Sequence, residues 1–297
     1  MEIKYDNQQA KWQECIKDNV KNQFSKNWLR DDTLDYWRHQ RMLLPIKALI
    51  KKGDTWLTVG DGRYGTEANY LIKSGVKAHA SDLSTELLKI SNESGFINEY
   101  SKQNAESLKF DDNSFDYVLI KEALHHCPRP WIAITEAFRV CRKGVILIEP
   151  HDQQSNGLSI VRILINIFKK FIKKNNNLSD YNFEEVGNFI FTLNLREIEK
   201  YMLAMHFRYL AYIKMNDYYI KGIEEINRKN FSYKNLKKII FLKAVIKLKD
   251  LLCFLRISQS SLISIVLFKE KLTSNTKNSL RTHKWVFRKL PKNPYMK

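Results

Sequence analysis

Little in these 297 residues is suited to cross-linking or to crossing a bilayer. Cys15, Cys127, Cys141 and Cys253 are the only cysteines and share no paired spacing, which argues against a disulfide framework and against a cysteine zinc site. No uncharged stretch reaches the ~18 apolar residues that span a membrane. The opening Met1-Glu2-Ile3-Lys4-Tyr5-Asp6 lacks the apolar run of a signal peptide. The expected setting is therefore the reducing cytoplasm, with at most a peripheral place at the inner face of a membrane. Glycine is also scarce, and three of the ten glycines fall between positions 60 and 65. Acidic residues are depleted in one half only. Residues 1–150 carry 22 Lys and Arg against 21 Asp and Glu, whereas residues 151–297 carry 28 against 11, and residues 228–297 alone carry 18 against 2. Compositional bias across a whole chain does not segregate charge in this way. A basic last third points to an acidic partner such as a phosphate-bearing molecule, an anionic membrane or nucleic acid.

What is present is a globular composition, 44% apolar, with strand and helix signals in alternation over the first half. Trp56 to Val59 reads as a short buried strand, Gly60-Asp61-Gly62-Arg63-Tyr64-Gly65 as a turn, Thr66 to Ser74 as a helix closed by Gly75, and Val76 to Ser81 as a second strand. Gly60 and Gly62 let the main chain bend sharply and let a ligand approach it, while the helix behind presents unpaired N–H groups. Asp82 lies 22 residues after Gly60, where a carboxylate at a strand tip accepts hydrogen bonds from both hydroxyls of a ribose. The same turn is needed by any tight strand-to-helix connection, so the glycines alone are a weak signal. Further along come Asn104-Ala105-Glu106, the strand-like Phe115 to Ile120, Ala123-Leu124-His125-His126-Cys127-Pro128, a helix from Trp131 to Val140, and a strand from Val145 to Pro150.

In order and spacing, residues 54–152 resemble the class I S-adenosylmethionine-dependent methyltransferases, specifically the type 11 branch. The resemblance implies an α/β fold, a Rossmann-like doubly wound, mostly parallel seven-stranded sheet with an antiparallel final strand, plus a helical N-terminal arm and helical insertions. It also implies S-adenosyl-L-methionine as cofactor. Its methionine end would be embraced by Thr58, Gly60, Asp61, Gly62 and Gly65, its ribose held by Asp82 with Leu83 beside it, and its adenine met by Asn104 and Ala105. Lys121, at the end of the fourth strand, completes the expected cofactor set. The sequence departs from the family at three positions: Thr58 and Asn104 stand where acidic residues are usual, and Tyr64 stands where a third glycine is usual, with Gly65 one step late. A threonine hydroxyl and an asparagine oxygen retain hydrogen-bonding capacity at the first two.

Ligands of open α/β sheets sit beyond the carboxyl ends of the strands, which brings Lys121, Glu122, His125, His126, Glu149, His151 and Asp152 into view. His126 is the first candidate for a base that takes a proton from an acceptor hydroxyl, His151 the second and Glu122 the third, because imidazole titrates near neutrality and a carboxylate can accept. A loop-stabilising role for a histidine of the pair is the competing reading. No metal site is expected. Trp37, Arg38 and Tyr5 are candidates for the acceptor side, and Arg63 for a pair with a local carboxylate.

The expected organisation is a helical arm over residues 1–53, the cofactor core over 54–152, completion of the sheet with amphipathic and basic helical insertions over 153–270, and a basic tail over 271–297, ordered only in part. Within it, Trp12, Ile16, Val20, Phe24 and Trp28 share one helical face. Leu158 to Lys174 is a strongly amphipathic helix that either lies in a membrane interface or seals the core. Phe207 to Ile213 and Leu262 to Phe268 read as the closing antiparallel pair. Glu184 to Phe191 and Ile213 to Tyr219 resemble methyltransferases of polysaccharide gene clusters. The leading expectation is O-methylation of a sugar in a bacterial surface or lipid-linked glycan, with peripheral contact between the basic last third and an anionic membrane. Methylation of a quinone or isoprenoid lipid is the alternative, and a third is a catalytically inactive RNA- or membrane-binding module, for which Trp285 and Phe287 among basic residues permit stacking on bases.

Overall fold

The computed structural model describes residues 25–152, 189–229 and 232–295. The first arm segment with Tyr5, the amphipathic stretch 158–174 and most of 184–191 lie outside them. After a 3-10 turn at Lys26–Leu29, helix α1 spans Leu34–Leu43 and runs into a second 3-10 turn at Leu44–Ala48. Thr33 starts α1 by accepting the Tyr36 N–H on its hydroxyl.

The core then follows as β1 (Thr55–Val59), α2 (Thr66–Lys73), β2 (Lys77–Asp82), α3 (Glu86–Glu93), β3 (Glu99–Lys102), β4 (Phe115–Lys121), α4 (Pro130–Val140) and β5 (Cys141–Pro150). Past residue 188 come α5 (Leu195–Ala204), β6 (Tyr209–Met215), α6 (Tyr233–Phe254), β7 (Leu262–Phe268), α7 (Ser274–Thr282) and β8 (Val286–Lys289). Among the described residues these strands form one sheet in the order β3-β2-β1-β4-β5-β7-β6-β8. The first five are parallel and β7 runs antiparallel between β5 and β6. The sheet order reverses direction between β1 and β4, and the crevice above their carboxyl ends is the switch point of the fold.

Both faces of the sheet are covered, which explains why its central strands read as continuous apolar runs. One face carries Trp56, Tyr117, Leu119, Ile146 and Val266 against Ala68 and Leu71 of α2, with Met42, Leu43 and Ile46 of the arm completing the layer. The other carries Leu57, Val118, Ile120, Leu147 and Ile265 against Ile134, Ala137 and Phe138 of α4 and Ile198 and Met202 of α5. Each fully buried Leu, Ile or Val contributes ~1.5–3 kcal/mol. The sheet is thus the stiff base on which the loops are mounted.

Two segments differ from the sequence-based expectation. Cys141 to Gly144, expected as a connection, already belongs to β5, because Cys141 pairs with Phe115 and Gly144 with Tyr117 across an irregular register. The tail, expected to be ordered only in part, forms α7 and then β8, an eighth strand whose Val286–Lys289 pairs antiparallel with Tyr209–Tyr212 of β6. Trp285 is 3% exposed and donates its indole N–H to the Pro45 carbonyl, and Ser279 donates to the Ala48 carbonyl. The tail is therefore pinned to the arm.

Candidate active site

The turn after β1 holds its shape through main-chain bonds from Gly60 and Asp61 N–H to the Ser81 carbonyl, 2.9 and 3.1 Å. Gly60 has φ +78°, and a Cβ there would stand 2.2 Å from the Ala123 Cβ, so the loop after β4 closes directly on it. A Cβ on Gly62 would stand 2.8 Å from the Asp82 carboxyl carbon. The Asp82 carboxylate thus faces bare main chain. It accepts N–H groups from Ser84, at 2.9 Å, and from Gly62 and Leu83, yet burial outweighs them and pushes its pKa up to about 6. Gly65 leads into α2 and packs against Ile97 and Ala80.

Thr58 and Asp61 are turned inward. The Thr58 hydroxyl donates to Asp61 at 2.8 Å, and the Asp61 carboxyl accepts the Glu67 and Ala68 N–H groups at the start of α2, 3.2 and 2.9 Å. Burial and the neighbouring Glu67 carboxylate hold Asp61 well above the usual carboxylate range. Glu67 moves the opposite way, because Lys121 overcomes the burial that would raise it. The Lys121 ammonium lies 3.0 Å from Glu67 and 3.4 Å from Glu122. Burial would strip its proton, and these two carboxylates keep it charged.

Next to this pair stands His39 of α1. Lys121 Nζ is 2.7 Å from its Nδ1 and Arg38 Nη2 is 3.0 Å from its Nε2. A neutral imidazole accepts at one nitrogen only, so one of these cationic donors is left without a full acceptor on the ring. Burial first, then Lys121, Arg38 and Arg63, hold His39 well below its ordinary pKa. Arg38 is anchored to Asp35 at 3.0 Å and to Asp217 at 2.5 Å, which raises its already high pKa against the cost of burial. Glu122 adopts φ +49°, a strained value for a side-chain-bearing residue, and its N–H reaches the Ile148 carbonyl at 2.8 Å. Burial raises the Glu122 carboxyl, but Lys121, Arg38 and Arg63 together pull it below its ordinary value. It is ionised at neutral pH and a weak base.

The histidine pair divides into two environments. His125 Nδ1 lies 2.6 Å from Glu149, whose other oxygen accepts the Ala123 and Leu124 N–H groups at 3.0 and 2.9 Å. His125 therefore fixes the loop. His126 lies against it, with ring centroids 3.9 Å apart and ring planes tilted by 43°. His151 is buried at the end of β5, its Nδ1 3.0 Å from the Ser260 hydroxyl, and burial and Lys214 lower its pKa. Asn104 Oδ1 accepts the Glu106 N–H at 2.9 Å, and Glu106 binds Arg129 through both main chain and side chain, so the Asn104–Ala105 loop is tied to the start of α4. Tyr64 turns away from the crevice. It is 1% exposed and bonds Ser25 at 3.0 Å beneath the arm. Arg63, expected beside a carboxylate, stacks over the Trp28 ring at 4.7 Å. His39, Glu67 and Asp217 were not singled out by the sequence. They come from α1, α2 and the segment after β6, and only the fold assembles them.

A family model described as a methyltransferase domain matches residues 57–148. The chain is 30% identical over 100 residues to phosphoethanolamine N-methyltransferase 2 of Caenorhabditis elegans, a stretch covering 32% of this chain and 23% of that relative. Among solved structures it is similar to a Bacillus halodurans putative methyltransferase, at 19% identity and TM-score 0.46, covering 77% of this chain and 99% of that one. It is likewise similar to the YcgJ protein of Bacillus subtilis, at 18% identity and TM-score 0.47, covering 79% and 99%. Residues 57–148 are therefore similar to a methyltransferase domain. The crevice fits S-adenosylmethionine: bare main chain at Gly60 and Gly62, a desolvated acceptor at Asp82 beside it, and space a single methyl group would fill.

Proposed function

We propose that the protein is an S-adenosylmethionine-dependent methyltransferase that O-methylates a sugar of a bacterial surface glycan or lipid-linked glycan. The observation that carries this reading is the charged mouth beside the cofactor crevice, where Arg38, His39, Glu122 and Asp217 converge. A quinone or isoprenoid ring would leave these desolvated charges facing hydrocarbon, at a cost of several kcal/mol. A polyhydroxylated acceptor satisfies both the cations and the carboxylates.

When bound, the cofactor supplies a methyl group on a sulfonium, open to in-line displacement. The chain's residues have to hold it and present a hydroxyl in line. Gly60 and Gly62 admit the cofactor to the main chain, Asp82 accepts its two ribose hydroxyls, and Asn104 and Ala105 border the adenine. Thr58, which supports Asp61, contributes indirectly, and the negative charge near the methionine end comes from Glu67, with Lys121 as counter-charge. Orienting the acceptor hydroxyl is worth up to ~7–11 kcal/mol of barrier. His126 is the preferred base for its proton and His151 the next, while ionised Glu122 suits the role of hydrogen-bond acceptor that aims the hydroxyl. The basic last third favours an acceptor held at an anionic membrane.

The test is transfer of labelled methyl groups to lipid-linked glycans, free sugars, quinone precursors and phosphoethanolamine in parallel. Label in the glycan arm, lost in His126→Ala, is expected. Label confined to quinone or phosphoethanolamine, or none in any arm, would overturn the reading.

A further inference from the structure

Helix α6 is apolar on its buried side and also presents a row of large apolar side chains outward. At 3.6 residues per turn, Tyr233, Ile240, Leu248 and Leu251 share one face. They are 73%, 58%, 56% and 51% exposed, and Phe254 at the far end is 82% exposed. The opposite side is anchored, with Leu242 fully buried and Ile246 nearly so among Leu34, Ile223 and Ile226. The exposed stripe runs the length of a 22-residue helix, about 33 Å. Lys237 lies within the stripe and Lys247 at its edge, and the helix carries six lysines against one acidic residue, Asp250, which receives the Asn216 amide.

We infer that the outward stripe of α6 lies in the head-group region of an anionic lipid bilayer, apolar side chains inserted and lysines at the phosphates. This rests on the proposed membrane contact of the basic last third and identifies the surface that makes it. The charge pattern selects this occupant over two others. A second copy would set lysine rows against lysine rows. A nucleic acid would satisfy the lysines but leave the central apolar row wet. Among the described residues no helix is long and apolar enough to cross a membrane, so the helix lies in the plane. The placement also has a consequence for the site. Lys249 donates to the Asp217 carbonyl at 2.8 Å, and Asp217 holds Arg38 at the mouth. The side of α6 opposite the stripe is thereby tied to the residue that holds Arg38 at the mouth.

The experiment is co-sedimentation of the full chain with phosphatidylcholine vesicles, with and without phosphatidylglycerol, at two salt concentrations. Wild type is compared with Ile240→Asp/Leu248→Asp and with Lys237→Gln/Lys247→Gln. These side chains are exposed, and unchanged titration with S-adenosylhomocysteine reports an intact fold. Expected are binding to the phosphatidylglycerol vesicles that weakens with salt, and a loss of about tenfold or more in each double variant. Wild type that binds neither vesicle, binding moved by neither double variant, or a wild-type dimer that Ile240→Asp/Leu248→Asp dissociates without lipid would overturn it. If S-adenosylhomocysteine fails to bind while the vesicle result holds, the methyltransferase reading fails and this one stands.

Discussion

Helices α2 and α6 invert each other. On α2, side chains that sequence conventions place in water, Glu67 and Asn69, are buried, Glu67 beside Lys121 at the crevice and Asn69 donating to the Phe96 carbonyl. On α6, side chains that belong in a core, Ile240, Phe241 and Leu248, are in water. Burying a carboxylate and exposing a leucine both cost stability. A fold tolerates either where the surface is reserved for something else, as we propose for a cofactor in the first case and a bilayer in the second. The α2 region is dense with paired charge, so removing one partner should be severe. The α6 outer side chains are mostly exposed, so removing one should be mild.

The largest effect is expected for Lys121→Met, which leaves Glu67 and Asp61 buried without their cation. Denaturant unfolding should show a loss of about 3–5 kcal/mol, and Lys121→Met combined with Glu67→Leu should recover much of it. Full loss in the double variant would show that Lys121 matters for packing and not for charge. Close behind comes Leu242→Ala in the anchored side of α6, at about 2–5 kcal/mol, against less than about 0.5 kcal/mol for the outward Leu248→Ala measured the same way. Equal losses would break the contrast between the two sides of that helix. In the crevice, Asp82→Ala and Gly62→Val should each weaken S-adenosylhomocysteine by about 100-fold in calorimetric titration, the first by removing charged acceptors and the second by filling the approach. Unchanged affinity in both would remove the crevice as the cofactor site.

The smallest effect is a pH dependence. Asp82 has a folded pKa of about 6 against an ordinary 3.8, so its contribution to stability is intact below 3.8 and declines as pH rises through about 6. Asp82→Asn should therefore raise the melting temperature of the ligand-free protein near neutral pH by roughly 2 °C and leave it unchanged below pH 3.8. Cofactor affinity should run the other way in wild type, falling as pH drops through about 6, because the carboxylate form is the stronger acceptor.

The contrast also explains what the amino-acid sequence disclosed. The β1-turn-α2-β2 unit, β4, α4 and the limits of β7 were readable because local periodicity and local turn chemistry agree with the sheet. Cys141 to Gly144 was misassigned because its extended form depends on the neighbouring strands, not on its own glycine and charges. Val286 to Lys289 is too short and too basic to announce a strand, and β6 recruits it at the sheet edge. The mouth was half legible. Lys121 and Glu122 follow a visible strand, but His39 and Asp217 approach from elements 82 residues before Lys121 and 179 residues after Arg38. On α6, the lysines do not resolve into one polar face, so the sequence does not say which side meets protein and which meets solvent.

The tie between the chain's two ends sets a timetable for biosynthesis. The Pro45 carbonyl waits for an indole 240 positions later, and the Ala48 carbonyl for a hydroxyl 231 positions later. A ribosome that has already delivered every residue of the crevice has not yet delivered the latch that seats the arm beside it. The nascent chain therefore stays unlatched until Trp285 has been made, and truncation before Ser279 would remove both contacts that seat the arm while leaving the crevice residues in place.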